Sequence, residues 1–201
     1  MNKEPFLHKA EKLITGIFTE SFILLTRPGE IWESRIKQNQ NEKAIFMRFF
    51  FPGLLIVFLS VMVGDLLFES RYGFLFTDSL IKAVRKLLIL LMSYFAAIMI
   101  LYEVSRWYRI PVGFDTSKRI VVYSMLPVVL LTILTSIFPF FDLIGILGLY
   151  SFYLVYSALI SIYEIKPLRN ISYLSLLLGG MFMAFVLISF LLSKLTALII
   201  Y

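Results

Sequence analysis

Five long apolar runs, separated by short charged segments, constrain this chain more than any other feature. A helix needs about 20 apolar residues to cross a bilayer, and little sequence remains outside the runs to form a soluble domain. The pattern therefore predicts an all-α polytopic membrane protein with five transmembrane helices and N-terminal amphipathic helices. The uncharged runs cover residues 49–64, 87–102, 120–141, 143–163 and 170–193.

The composition indicates the same class of protein. Hydrophobic residues make up 60% of the chain and charged residues 16%, whereas about a quarter of the residues in soluble domains are charged. We expect a cytoplasmic amphipathic segment over residues 1–43 and a five-helix transmembrane domain over residues 44–201. The five spans are expected near residues 45–68, 80–103, 119–139, 142–164 and 170–193.

The distribution of lysine and arginine predicts the orientation, because these residues are retained on the cytoplasmic side. With the N terminus inside, 14 of them lie on the cytoplasmic side and 5 lie outside. We therefore expect a cytoplasmic N terminus and an external C terminus. Lys82, Arg85 and Lys86 count against this orientation, unless helix two extends beyond the membrane there. The richness in isoleucine, lysine and phenylalanine favours a bacterial cytoplasmic membrane.

The segment before the first span has helical periodicity. Arg27 and Pro28 then interrupt the pattern, and Trp32 follows as a candidate anchor at the membrane interface. One interpretation is amphipathic packing beneath the bundle; the other is a docking surface for a cytoplasmic partner or anionic lipid, formed by Arg27, Pro28, Trp32 and Arg35. The apolar positions that predict a surface helix are Phe6, Ala10, Leu13, Ile14, Ile17 and Phe18.

Short connections and small residues predict how the helices pack. Only Asp142 separates spans three and four, so we expect a tight hairpin with Pro139 and aromatic residues at its tip. Small residues allow helices to approach closely in membranes. Close approaches are expected at Gly145 and Gly148 of span four and at the adjacent Gly179 and Gly180 of span five, where a helix break is the alternative.

The placement of charge argues against chemistry inside the membrane. Ionisable residues deep in a span are candidates for function because their burial is costly, yet the charged residues here fall near the expected interfaces. The chain also has no cysteine and no recognisable metal, nucleophile or phosphate-binding motif. We expect no enzyme activity, no cofactor or metal, and no nucleic-acid partner. The charged residues at the margins are Arg48, Asp65, Glu103, Asp142 and Glu164.

Uncharged polar residues in spans three and four form a candidate polar groove. Tyrosines recur at every third residue of span four, and a proline in span three frees a backbone carbonyl and can kink its helix. The alternative is that these side chains make ordinary interhelical hydrogen bonds. The candidate groove comprises Tyr123, Ser124, Pro127, Tyr150, Tyr153 and Tyr156.

The order of these features resembles the Yip-domain family of Ypt/Rab-interacting-protein-like membrane proteins, in a short prokaryotic form. The features are the lead with Arg27, Pro28 and Trp32, five spans, a basic second loop over residues 107–115, and the Tyr-Ser-Met-Leu-Pro opening of span three at residues 123–127. The resemblance implies a five-helix domain without known catalytic residues. The acidic-aromatic Asp-Leu-Tyr-Gly-Pro type motif of eukaryotic relatives is missing, so a Rab-type GTPase partner is not expected.

Three functional hypotheses follow, of which a lipid-modifying enzyme is the weakest, because it needs an acid/base pair that we do not find in the sequence. The first is a non-enzymatic protein that organises the lipid bilayer, including anionic lipids, or partner proteins, which include further copies of itself. The second is a channel or transporter for a small molecule or ion, with its path between spans three, four and five. The transporter hypothesis predicts a polar cavity lined by Tyr123, Ser124, Tyr150 and Tyr153.

Overall fold

The protein is a bundle of long helices. The computed structural model describes residues 19, 22–24, 26–32, 45–68, 76–163, 165 and 170–200. Within these residues there is no strand, and five helices are long and apolar enough to cross a membrane. This confirms the all-α, five-span fold. The spanning helices are α1 (Phe51–Phe68), α2 (Phe76–Trp107), α3 (Phe114–Ile137), α4 (Tyr150–Tyr163) and α5 (Ile171–Ile200).

Three shorter helical segments accompany the five spans. A π-helical segment, Phe46–Phe50, runs directly into α1, and a 3-10 helix, Pro139–Leu149, leads into α4. A four-residue helix, Pro28–Ile31, precedes them, with proline at its first position, where the missing N–H needs no partner. The candidate fourth span, Ile144–Tyr163, therefore begins as 3-10 helix and continues as α-helix.

Helix α2 is longer than the expected span over residues 80–103. Its 32 residues correspond to about 48 Å at 1.5 Å per residue, whereas the hydrocarbon core of a bilayer is about 30 Å thick. One or both ends of α2 therefore extend into the headgroup region. Lys82 and Lys86 lie in the N-terminal part of this helix.

A left-handed residue ends α2 and reverses the chain toward α3. Arg109 has a φ of 57°, and the N–H of Ile110 donates to the carbonyl of Ser105 at 2.9 Å. This hydrogen bond caps the C terminus of α2. The left-handed residue at such a cap is usually glycine. Helix α3 then begins after Gly113, so the connection between the two spans is short and ordered.

The hairpin between α3 and α4 has an aromatic tip, as the sequence suggests. The rings of Phe138, Phe140 and Phe141 contact one another at centroid distances of 4.7–6.1 Å. Phe68 at the end of α1 packs edge-on against Phe138 at 6.4 Å and Phe140 at 6.1 Å. The hairpin is thus fixed to α1 by aromatic contacts. The side chain of Asp142 lies outside the described residues.

The close helix approach occurs at glycines other than those expected. A Cβ on Gly64 of α1 would overlap the backbone carbonyl oxygen of Ser136 in α3, and a Cβ on Gly53 would lie 2.8 Å from a Val129 methyl group. By contrast, a Cβ on Gly145 or Gly179 would meet nothing within 4 Å; for Gly148 and Gly180 the nearest atoms lie at 3.9 and 3.5 Å. The expectation for spans four and five is corrected, because α1 and α3 form the tight pair.

The proline and the glycine pair that can interrupt a span lie within continuous helices. Pro127 is buried inside α3, which runs from Phe114 to Ile137. The glycine pair 179–180 lies inside α5, which runs without a break from Ile171 to Ile200. The glycine pair left open a break in the fifth helix as an alternative. The structure shows no such break within residues 171–200.

An aromatic core holds the N-terminal segment against the bundle. The core is formed by five buried rings, which lie on the segment before α1 and on α2 and α3. Trp32 packs edge-on against Tyr123 at 6.4 Å, and the Phe50 and Tyr94 rings lie 4.8 Å apart. Burial of such large rings is a major contribution to packing. The aromatic core comprises Trp32, Phe49, Phe50, Tyr94 and Tyr123.

Candidate functional site: an intramembrane cavity

A cavity of ≈ 480 Å³ lies among α2, α3, α4 with its 3-10 lead, and α5. Ligand sites in proteins usually measure about 300–1,000 Å³ and are mostly apolar with a few polar groups. This cavity has that character, because aliphatic and aromatic side chains form most of its wall. Representative wall residues are Ala97, Val121, Met125, Leu131, Val155 and Met181.

One face of α3 forms the long wall of the cavity. Val121, Met125, Val128, Thr132 and Thr135 line it at helical spacing, which places them on one face of the helix. The first and the last of these are 14 residues apart, or about 21 Å along the helix axis. The cavity is therefore elongated along the bundle rather than spherical.

The hydroxyl groups along the cavity are of two kinds. Thr132 donates to the Val128 carbonyl at 2.7 Å and Ser151 donates to the Gly148 carbonyl at 2.8 Å, so these hydroxyls are satisfied by their own helices. Ser93 and Ser124 are 7% and 1% exposed, and their hydroxyl oxygens have no hydrogen-bond partner within the described residues. These two serines, one on α2 and one on α3, lie beside the cavity, but their hydroxyl oxygens are enclosed by protein.

The cavity opens sideways between α4 and α5. Its lining includes Ile146 and Leu149 on the 3-10 helix and Phe182 on α5, all of which are exposed at the bundle surface. Phe152 and Phe182 contact each other at 6.1 Å across the gap, while the two helices otherwise approach each other little. In a membrane-spanning bundle this opening faces lipid.

The end of the bundle where α3 begins is densely packed. The cavity lining on α3 starts at Val121, and Ser117 and Ile120 before it are fully buried. On the neighbouring helices, the hydroxyls of Ser105 and Tyr173 lie 2.8 Å apart in a buried hydrogen bond. The cavity therefore does not extend along α3 to this end.

Arg119 is the buried charge that sequence reasoning missed. It stands at the expected start of span three, and in the structure it lies in α3 and is only 7% exposed. Its guanidinium donates to the Thr116 hydroxyl at 3.4 Å, and Thr116 also hydrogen bonds with Tyr163 of α4. Residues 119–127 of α3 are all buried, so the helix is enclosed on every side where Arg119 lies.

The opposite end of the bundle carries charged and polar contacts between helices. Lys82 lies 3.4 Å from a carboxylate oxygen of Asp65, and Lys86 donates to the Ser136 hydroxyl at 2.9 Å. These contacts join α1, α2 and α3 at the end where α3 finishes. Asp65 lies three residues before the end of α1.

The structure separates the members of the candidate polar groove. Ser124 lines the cavity, whereas Tyr123 belongs to the aromatic core and Pro127 is buried within α3. The three tyrosines of α4 form a ridge on another face, with neighbouring centroids 5.2 and 6.3 Å apart. None of these tyrosines lines the cavity. The ridge comprises Tyr150, Tyr153 and Tyr156.

The candidate docking residues also occupy different environments. Arg27 is exposed and precedes the short helix that begins at Pro28, while Trp32 is completely buried. A buried indole contributes to packing and offers no surface to a partner. Arg35 and the amphipathic positions from Phe6 to Phe18 lie outside the described residues.

Sequence reasoning also missed Ser93. It lies near the middle of α2, away from both helix ends, and shares a face with Ala97 one turn later. A lone serine in an apolar span usually bonds to its own helix backbone, so nothing in the sequence distinguished it. Only the structure does so, because it places Ser93 and Ser124 on the lining of one cavity.

Comparison with known protein families finds a match to most of the chain. A family model described as the Yip1 domain matches residues 22–190. The matched region begins before the short helix at Pro28, contains the first four spanning helices, and ends within α5. No curated protein and no solved structure matches the chain.

Proposed function

We propose that this chain, which belongs to the Yip1 domain family, is a non-enzymatic integral membrane protein that organises lipids or partner proteins around its bundle. The observation that carries the proposal is the cavity, which is apolar, opens sideways between α4 and α5, and stops short of one end of the bundle. A cavity of this shape exchanges material with the bilayer rather than with water on both sides.

The lining of the cavity supports a role without catalysis. Acid–base and nucleophilic mechanisms need a titratable or activated group within reach of the substrate. The side chains that line this cavity are aliphatic, aromatic, thioether or hydroxyl groups. The charged side chains described above, Arg119 at one end and Asp65, Lys82 and Lys86 at the other, are not among its lining residues.

A transport path is the second candidate function. Ser124 lines a cavity that lies among the third, fourth and fifth spans, and this position favours transport. Against it, the packed end of the bundle contains the buried Ser105–Tyr173 hydrogen bond, where a continuous route would need an opening. We therefore place the transporter hypothesis second.

Reconstituted vesicles separate the two functions. Purified protein in sealed liposomes is expected to pass monovalent ions and small neutral solutes no faster than protein-free liposomes do. Flux of any solute that falls to the protein-free level in a Ser93→Ala, Ser124→Ala variant would overturn the proposal and support transport.

The organising role also has a direct test. The protein is extracted with its surrounding membrane into polymer-bounded discs, and the lipids and proteins retained are compared with the bulk membrane by mass spectrometry. We expect the retained set to be enriched in particular lipids or in a reproducible partner, which includes a second copy of the chain. A disc with bulk lipid composition and a single protomer contradicts the role.

The proposal includes a bacterial cytoplasmic membrane with the N terminus inside. Because the chain has no cysteine, a single introduced cysteine is a unique label. Phe76 and Trp107 are exposed at opposite ends of α2. An impermeant maleimide added to intact cells should label Phe76→Cys and should label Trp107→Cys only after permeabilisation. The reverse labelling pattern would show that the N terminus lies outside the cytoplasm.

A further inference from the structure

We infer that the cavity takes up one hydrocarbon chain of a bilayer lipid, and that this lipid comes from the leaflet on the side of the hairpin between α3 and α4. This role deepens the proposed organisation of lipids and rests on that function in taking the cavity as the site. Three properties of the cavity point to this occupant: an apolar inner surface, a mouth at membrane depth, and confinement to one side of the bundle.

The cavity presents an apolar surface to any occupant. Its lining within the described residues contains five hydroxyl side chains and no charged one. Thr132 and Thr135 donate to backbone carbonyls of α3, and Ser151 donates to a carbonyl one turn earlier. The hydroxyl oxygens of Ser93 and Ser124 are enclosed by protein. A ligand oxygen would therefore lose its hydrogen bonds to water without finding an available donor here, whereas a hydrocarbon has no hydrogen bond to lose.

A chain is also a better occupant than water or empty space. A buried water needs several polar partners, and apolar cavities stay dry. An empty void of ≈ 480 Å³ leaves the atoms of its wall without the dispersion contacts of a packed interior. A chain that moves from the bilayer into the cavity restores those contacts and leaves surroundings that are equally apolar.

The mouth of the cavity lies at membrane depth. Ile146 and Leu149 on its rim belong to the candidate fourth span, Ile144–Tyr163, and Phe182 lies near the middle of the fifth, Ile171–Leu198. All three side chains are exposed at the bundle surface. Hydrocarbon chains fill the bilayer at this depth, so they reach the mouth by lateral diffusion without passing through water.

The cavity is confined to the hairpin side of the bundle. On each of its four helices, the lining stops seven to ten residues short of the end that lies away from the hairpin, or about 10–15 Å at 1.5 Å per residue. Toward the hairpin, the lining reaches Thr135, two residues before α3 ends, and Gly145 on the 3-10 helix. A chain in the cavity therefore has its headgroup on the hairpin side and its methyl end on the closed side. The last lining residues on the closed side are Ala97, Val121, Val155 and Met181.

Photoreactive lipids test both the occupant and its direction. Full-length protein is reconstituted in phosphatidylcholine vesicles that contain a trace of phosphatidylcholine with a diazirine at the methyl end or at the glycerol end of one chain. Met125 and Met181 line the cavity and are only 8% and 5% exposed, so lipid outside the bundle has little access to them. After irradiation, peptide mass spectrometry should find the methyl-end probe on these two methionines. The glycerol-end probe should be found on Thr135 and Ile146 instead.

Matched leucine substitutions locate the chain. A Cβ on Gly148 would lie 3.9 Å from a Val128 methyl group, and both residues line the cavity, so Gly148→Leu should fill part of the space. Gly179→Leu is the control, because Gly179 is exposed, lies outside the lining and has no neighbour within 4 Å. Only Gly148→Leu should remove the labelling of the two methionines. Ala97→Leu narrows the cavity from α2 and should have the same effect, so it decides the question if Gly148→Leu does not fold.

Three results would overturn the inference. Labelling confined to outward positions, such as Leu187 and Phe190 on α5, would show that chains only border the bundle. A methyl-end probe found on Thr135 rather than Met125 would show that the lipid enters from the opposite leaflet. Methionine labelling that persists in both cavity-narrowing variants would place the chain elsewhere. None of these results alters the vesicle flux, whereas failure of the proposed function appears as serine-dependent solute flux.

Discussion

Small residues have opposite roles in two parts of this bundle. They allow α1 and α3 to touch, whereas beside the gap between α4 and α5 they leave space. At Gly64 the two helix backbones are so close that any side chain would overlap a carbonyl oxygen. At Gly148, on the other side of α3, a Cβ would have only ordinary contact with Val128 at 3.9 Å, and the space around it is the cavity. A glycine in this bundle therefore lies either where two helices touch or where they leave empty space between them.

The same contrast extends to the polar and aromatic side chains. The packed side includes the aromatic core, in which Trp32 and Tyr123 are fully enclosed. The open side contains Ser93 and Ser124, whose hydroxyls lack partners within the described residues. Substitutions should therefore be costly on the packed side and nearly neutral on the open side.

The largest expected loss of stability follows substitution in the aromatic core. Trp32→Ala should destabilise the protein by about 3–5 kcal/mol, because a fully buried indole is removed and a void remains. Trp107→Ala is the matched control, since Trp107 is 78% exposed, and it should change stability by less than about 0.5 kcal/mol. Reversible unfolding in mixed micelles measures both. Equal losses would show that Trp32 is not part of the core.

The next largest effect is at the tight helix pair. Gly64→Ala should cost about 1–3 kcal/mol, because its methyl group forces α1 away from the Ser136 backbone. Gly179→Ala has no neighbour within 4 Å and should be neutral or stabilising by up to about 1 kcal/mol through helix propensity. The difference in midpoint denaturation temperature checks this. A Gly64→Ala protein as stable as wild type would contradict the close approach.

A smaller effect is expected at the buried hydrogen bond of the packed end. Tyr173→Phe removes the partner of Ser105, whose hydroxyl is buried, and should cost about 1–1.5 kcal/mol. Tyr153→Phe removes the hydroxyl of a residue that is 49% exposed on the tyrosine ridge and should have no measurable effect on stability. Similar losses for both variants would show that burial does not distinguish the two tyrosines.

The number of spans was predictable because it depends on local chemistry alone. Each apolar run is long enough to cross a bilayer, and each gave one helix of the structure. The aromatic hairpin tip at Pro139 was equally local. These features need no knowledge of which helix lies beside which.

The cavity was not predictable for the opposite reason. Gly64 and Gly148 are indistinguishable by sequence, and only the neighbour of each decides whether it makes contact or leaves room. The tyrosines of α4 were placed with Ser124 because polarity was the only guide. In the structure Ser151 and Phe152, on the adjacent face of that helix, line the cavity instead.

The smallest expected change in stability follows substitution of the two serines. Its sign distinguishes the open side of the bundle from the packed side. In delipidated protein, Ser93→Ala or Ser124→Ala removes a buried hydroxyl that has no partner within the described residues. Each should be neutral or stabilising by about 0.5 kcal/mol, because an apolar replacement removes the cost of burying a polar group. Ser60 is the control, since its hydroxyl donates to the Ile56 carbonyl at 2.7 Å.

Unfolding midpoints of the delipidated wild-type protein, the two serine variants and Ser60→Ala measure these changes in stability. If both serine variants lose stability in delipidated protein by as much as Tyr173→Phe does, their hydroxyls already have partners, and the contrast between the two sides of α3 fails at its most sensitive point.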